Sequence, residues 1–321
     1  MPLLQDYNKL FEQNSNIKKI YVNNSVVWPS ALTPPDPKLE PFYVENISNS
    51  VETLRITKLD NRAPTLTIEY STDKTTWTPF ENSTSTTALT YILQPNDKLY
   101  LRCNTVTWTN SGYESNAIDG VSKVGGNIMS LLYGSGFTGQ ETSFPSGSTH
   151  NFTNLFYNNT KLVDTSELLL SATTLTYYCY QNMFFYCVAL TTAPVLPATT
   201  LADNCYLNMF RNCTSLTTAP ALPATTLSNS CYVGMFFGCT SLTTAPTLSA
   251  TILVQECYGD MFGYCNLLNN ITCLATDISA SYACGYWLSN VSSTGTFTKA
   301  AGVNWPTGVS GIPSGWNVVE V

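Results

Sequence analysis

The chain has 321 residues, enough for two or three domains, and 14 basic against 21 acidic side chains leave a net charge of −7. With no clustered basic stretch it lacks the electrostatic footprint of a nucleic-acid binder, and no run of ~20 apolar residues is present to span a bilayer. Its single histidine, His150, would have to serve any Ser-His-Asp relay, and it stands in a polar Ser-Gly-Ser-Thr-His-Asn stretch that reads as a solvated loop.

Residues 1–28 read as a small docking element. Leu3, Tyr7, Leu10 and Phe11 recur at helical spacing, and Ile20–Val22, Asn23-Asn24 and Val26–Trp28 read as a tight hairpin. This apolar set falls below the ~40 residues at which an unassisted core becomes plausible. Leu3, Tyr7, Phe11, Tyr21 and Trp28 are therefore the expected anchoring interface with another chain. The opening Met1-Pro2-Leu3-Leu4-Gln5-Asp6 has neither a charged region before an apolar stretch nor an early Cys, so no signal peptide is expected. Pro29, Pro34, Pro35, Pro37 and Pro41 stiffen a linker over residues 29–41.

Residues 42–118 alternate apolar and polar side chains, as in Leu54/Ile56, Leu66/Ile68/Tyr70 and Leu99/Leu101/Cys103, with turn residues between the runs. Short alternating strands at this spacing predict a β-sandwich of immunoglobulin type, with Trp77 and Trp108 in its core or rim. Residues 119–151 are a Gly/Ser-rich transition and N-terminal cap. Gly134-Ser-Gly-Phe-Thr-Gly139 matches a dinucleotide fingerprint by letter, but lacks the strand–helix context and the acidic residue downstream, so it reads as a turn.

Residues 152–281 repeat. Cys179–Cys187, Cys205–Cys213, Cys231–Cys239 and Cys257–Cys265 all read Cys-Tyr-x-x-Met-Phe-x-x-Cys, and successive copies start 26 residues apart. A fixed period in this range marks a solenoid whose coils bury apolar faces against their neighbours. At about 100° per residue, offsets 0, 1, 4, 5 and 8 share one helical face. Each unit is therefore expected to be a short helix with Cys179, Tyr180, Met183, Phe184 and Cys187 inward. Leu-Thr-Thr-Ala-Pro follows as a short strand, stacking Leu190, Leu216, Leu242 and Leu268 inside and turning Thr192, Thr218, Thr244 and Asn270 outward. The cysteines, eight apart rather than two to four, read as buried thiols before disulfides or metal ligands, and no cofactor is expected. Leu155–Leu162 is a degenerate first coil. Trp287-Leu288 and Gly311-Ile-Pro-Ser-Gly-Trp316 lie in a C-terminal cap over residues 282–321.

Between Leu168 and Thr276 only Asp203, Arg211, Glu256 and Asp260 are charged. A neutral, hydroxyl-rich surface with variable aromatics at Phe185, Tyr186, Phe237 and Tyr264, flanked by Thr192, Thr218 and Thr244, suits sugars or a protein partner. Glu114 with Asp119, and Glu256 with Asp260, are the carboxylate pairs left for hydrolysis, and nothing in their spacing singles them out, so the chain is read as non-enzymatic.

The unit Met-Phe-x-x-Cys-Thr-Ser-Leu-Thr-Thr-Ala-Pro resembles the BspA-like leucine-rich repeats over roughly 152–290. The segments Lys19–Pro29, Ile68–Trp77, Gly126–Gly134 and Gly311–Trp316 make the whole chain similar to proteins of bacteriophages and prophages of gut Bacteroidetes. The resemblance implies a virion component, such as a head or tail fibre or a decoration protein, with no catalytic residues. The combined expectation is a mixed fold: an N-terminal docking element, an immunoglobulin-like β-sandwich and an α/β leucine-rich-repeat solenoid. Such a protein would join other virion proteins (capsid, portal, tail or fibre subunits) through its N-terminus, form a homo-oligomer and meet host surface or mucin glycans. A purely structural virion protein and a bacterial cell-surface adhesin are the competing readings.

Overall fold

Alternation of apolar and polar residues makes strands in the N-terminal half, as in β4 (Glu52–Ile56), where buried and exposed side chains alternate. The computed structural model describes residues 36–57, 68–80, 89–103 and 117–321, and the backbone of β1 (Ile20–Val22) and β2 (Ser25–Trp28). β1 and β2 pair antiparallel as the expected hairpin. The helical spacing at Leu3, Tyr7, Leu10 and Phe11, and Leu66, Trp108 and Glu114, lie outside the described residues.

Two sheets enclose the first core. One has six strands: β6 (Thr78–Pro79), β5 (Ile68–Ser71), β8 (Lys98–Cys103), β3 (Tyr43–Glu45), β10 (Lys123–Asn127) and β11 (Leu168–Leu169), in that order. The other runs β7 (Leu89–Leu93), β4, β9 (Ile118–Asp119). Phe42, Val44, Leu54, Ile56, Leu93, Leu99, Leu101 and Ile118 are buried together. The immunoglobulin expectation needs correction here. That sandwich sets its first strand beside the second and its last beside the penultimate. Among the described strands, β3 pairs instead with β8, and β9 with β4. Alternation revealed strands but carried no pairing order.

The sheet does not stop at the repeats. β10 pairs antiparallel with β3 on one side and parallel with β11 of the first coil on the other. An ion cluster crosses the same boundary: Lys123 Nζ lies 3.4 Å from Glu45, 4.0 Å from Asp164 and 2.6 Å from Glu167, and the Tyr43 hydroxyl donates to Glu167. The α-helix α1 (Ser130–Tyr133) is pinned by Ser130, whose hydroxyl accepts from the Phe42 amide at 2.9 Å and donates to the Leu101 carbonyl at 3.1 Å.

The α/β leucine-rich-repeat solenoid is overturned. The chain is mostly β, α1 is the one short α-helix among the described residues, and the nine-residue units contain none. Positive φ prevents it: Tyr178, Asn182 and Tyr186 have φ of 57°, 53° and 59°, and Asn204, Asn208 and Asn212 repeat the pattern. A left-handed residue at every fourth place breaks an α-helix each time. The backbone alternates two kinds of bond instead. Gln181, Met183 and Phe185 amides donate three residues back within their coil. The amides of Tyr180, Asn182, Phe184 and Tyr186 donate to Cys205, Leu207, Met209 and Arg211 in the next coil, at 2.8–3.0 Å.

The apolar set still faces inward, because a four-residue period also brings offsets 0, 1, 4, 5 and 8 to one side. Cys205, Tyr206, Met209, Phe210 and Cys213 are all buried. Phe156, Phe184, Phe210, Phe236 and Phe262 form a ring column with centroids 5.3–5.6 Å apart, and Tyr180, Tyr206, Tyr232 and Tyr258 form another at 5.6–6.1 Å. Leu190, Leu216, Leu242 and Leu268 are buried beneath short parallel bridges such as Thr244–Asn270. Trp287 ends the tyrosine column on Tyr258, 6.2 Å away, and gives its indole hydrogen to the Gly311 carbonyl at 2.9 Å. A parallel sheet of β12 (Asn270–Cys273), β13 (Thr296–Lys299) and β14 (Asn317–Glu320) completes this end.

Candidate functional site

The turn ladder fixes which side chains reach solvent. Offsets 2, 3, 6 and 7 of each unit point outward, so equivalent positions line up in rows across the coils. At offset 6 the row reads Phe185, Arg211, Phe237, Gly263, and Tyr157 of the first coil continues it. At offset 7 it reads Tyr186, Asn212, Gly238, Tyr264.

The structure brings the four candidate aromatics onto these two rows. Tyr157 and Phe185 stack with centroids 5.0 Å apart and planes 10° apart, and Tyr186 leans on Phe185 at 5.0 Å. Phe237 meets Tyr264 at 5.1 Å. Tyr186 and Tyr264 are exposed at 44% and 49%, while Phe185 and Phe237 are half-buried beside them. Arg211 joins the strip with its guanidinium carbon 3.7 Å from the centre of the Phe237 ring. Burial lowers its pKa, but a guanidinium stays charged.

The three candidate threonines stand on another stretch of the coil. Thr192, Thr218 and Thr244 are exposed, with Thr192 and Thr244 on the parallel bridges to Asp164 and Asn270. They are not part of the aromatic strip. Of the anchoring residues, Tyr21 lies in β1 and Trp28 in β2, whereas Leu3, Tyr7 and Phe11 are outside the described residues.

The positions weighed for chemistry are employed otherwise. His150 sits in an irregular bend, with φ 57°, its amide donating to Tyr177 and its ring stacked on Tyr178 at 4.8 Å. Glu256 and Asp260 occupy two of the left-handed positions, and Glu256 accepts from the Ser230 hydroxyl at 3.2 Å. Gly134–Gly136 form a single 3-10 turn after α1. All 11 cysteines are free and buried, and among the described residues no three His, Cys, Asp or Glu side chains gather as a metal site.

Tyr157 and Arg211 escaped the sequence reading. Aligning the copies by offset would have found both, since they share one row with Phe185 and Phe237. Compared with family models, curated proteins and solved structures, the chain matches none.

Proposed function

We propose that this chain is a non-enzymatic virion component, a head or tail fibre or decoration protein, that displays its coil stack to bind host surface or mucin glycans. The observation that carries the reading is the strip of Tyr157, Phe185, Tyr186, Phe237 and Tyr264 on a stack with very few charges. Aromatic faces suit the apolar faces of sugar rings, and amides and hydroxyls nearby exchange hydrogen bonds otherwise made to water. Each such bond nets only ~0.5–1.5 kcal/mol, so one copy binds weakly and attachment depends on many copies, where linked sites raise avidity ~10²–10⁴-fold.

Residues 1–28 are the proposed attachment to the other particle proteins. A chain starting at Ser30 should fold and fail to enter particles; normal incorporation rules the anchor out. For recognition, the full chain multimerised on beads should bind a glycan array and lose binding in the Tyr186→Ala, Phe237→Ala double variant. No binding at high valency leaves a purely structural role in the particle.

A further inference from the structure

The aromatic strip holds one cation, Arg211, with no described carboxylate within ion-pair distance of it. Among the described residues Arg211 makes no ion pair, and its guanidinium donates only to Asn208 Oδ1, at a long 3.5 Å. A guanidinium carries five N–H donors, so most of them are left by the protein to face solvent or a ligand. Half-buried against an aromatic face, such a charge favours an anionic partner.

The neighbouring acids do not supply one. Asp203 accepts the Asn229 amide at 3.0 Å and Glu256 accepts from Ser230, both at the opposite end of the nine-residue unit. Asp260 is close enough to favour the charged form of Arg211, yet not within ion-pair distance.

Glycine keeps this part of the strip flat. A Cβ on Gly234 would come 2.3 Å from Asn208 Oδ1 and 3.1 Å from Arg211 Nη1. One on Gly263 would come 2.8 Å from the Phe237 ring. Asn208, Arg211 and Phe237 thus lie across the next coil rather than standing up from it. The result is a low platform in which the Arg211 guanidinium lies over the Phe237 ring, with Tyr186 and Tyr264 as the more exposed rings flanking it.

We infer that the strip selects an acidic glycan, pairing Arg211 with a carboxylate or sulfate on a sugar that rests against the exposed ring of Tyr264. This rests on the glycan-binding reading above and narrows it to one ligand class. A neutral sugar would leave the guanidinium unpaired, whereas a uronate or sulfate ester would take two parallel N–H donors from its edge. The positive charge is local, because the chain as a whole is acidic at −7. Selectivity therefore comes from this one contact and not from long-range steering.

The test uses the intact chain, multimerised, against four probes: a uronate-containing oligosaccharide, its carboxyl-reduced form, a sulfated oligosaccharide and its desulfated form. At least one acidic probe should bind about tenfold or more tightly than its neutral counterpart, the scale of a charge-assisted pair. Which pair shows the gap identifies carboxylate or sulfate. Arg211→Gln should erase the gap by weakening the acidic probe toward its neutral counterpart, and added salt should weaken only the acidic probe. Arg211→Lys, which keeps the charge without the planar fork, should retain part of the gap and guards against a folding defect in the glutamine variant. Equal binding of acidic and neutral probes, or a gap that survives Arg211→Gln, overturns the inference while glycan binding stands. No binding of any probe overturns both.

Discussion

Cys213 donates its thiol hydrogen to the carbonyl oxygen of Phe184, one coil back, at 3.0 Å. Cys187, Cys239 and Cys265 do the same to Phe156, Phe210 and Phe236 at 3.0–3.1 Å. The Phe184 carbonyl also accepts the Cys187 amide of its own coil, so the thiol reaches its second lone pair. Cysteine packs as a small hydrophobe and still brings a weak donor, which neither valine nor alanine does.

Burial pushes the thiols inside the coil stack up: Cys257 to about 11, and Cys205, Cys265 and Cys273 to about 12, from an ordinary 9.0. Folded pKa values above unfolded ones give stability that is complete below pH 9 and lost as pH rises toward 11–12. These four thiols alone should lower stability by about 5 kcal/mol per pH unit in that window. Urea melts from pH 7 to 10.5 should be flat at first and then fall steeply; a flat profile throughout contradicts the buried ladder. In native protein a thiol reagent should find no rapidly reacting cysteine, and all 11 should react after unfolding.

Phe210 lies between Phe184 at 5.3 Å and Phe236 at 5.6 Å, nearly parallel to both. Phe210→Ala should cost about 3–5 kcal/mol in denaturant unfolding, the range for emptying a core aromatic site. Combined with Phe236→Ala the losses should be non-additive, because the two rings share a contact.

Asn204 has φ 58° and tests the turn ladder. Asn204→Gly should stay within about 0.5 kcal/mol of the parent, whereas Asn204→Val should cost about 1–2 kcal/mol or more, the strain of a left-handed β-branched residue. Equal stability of the glycine and valine variants would contradict a left-handed position there.

Burial acts to raise the Glu167 pKa, but hydrogen bonds from Lys123 and Tyr43 outweigh it and hold the carboxyl below its ordinary 4.5. A depressed carboxylate contributes stability above that value and loses it as pH falls below. Glu167→Gln should therefore flatten the acid side of the stability profile between pH 5 and 3, with little change in its alkaline side. An unchanged acid limb would show that the cluster does not couple the sheet to the first coil.

The repeat length, the inward set Cys-Tyr-Met-Phe-Cys and the leucine column were legible because burial selects residue types at fixed spacing. The backbone between them was not, since offsets 0, 1, 4, 5 and 8 share one face at a period of 3.6 and also at a period of 4. The discriminating signal lay outside, where Asn182, Asn208, Gly234 and Asp260, then Asn212 and Gly238, place residues tolerant of positive φ every fourth position. Strand order in the two sheets depends on partners distant in sequence, which alternation does not encode. The aromatic strip was half legible: Phe185, Tyr186, Phe237 and Tyr264 were visible as variable outward residues, while Arg211 gained meaning only once stacked on Phe237.

The amides of Tyr180, Asn182, Phe184 and Tyr186 all bridge to the following coil, so each junction between coils is held by a set of bonds that must break together. Under tension applied at the two chain ends, the protein should therefore yield as a series of discrete ruptures rather than stretch smoothly. Each rupture would release one 26-residue coil, or roughly 90 Å of extended chain at ~3.3–3.6 Å per residue. A protein tethering a particle to a surface would in that case absorb a pull in steps, lengthening its tether before letting go.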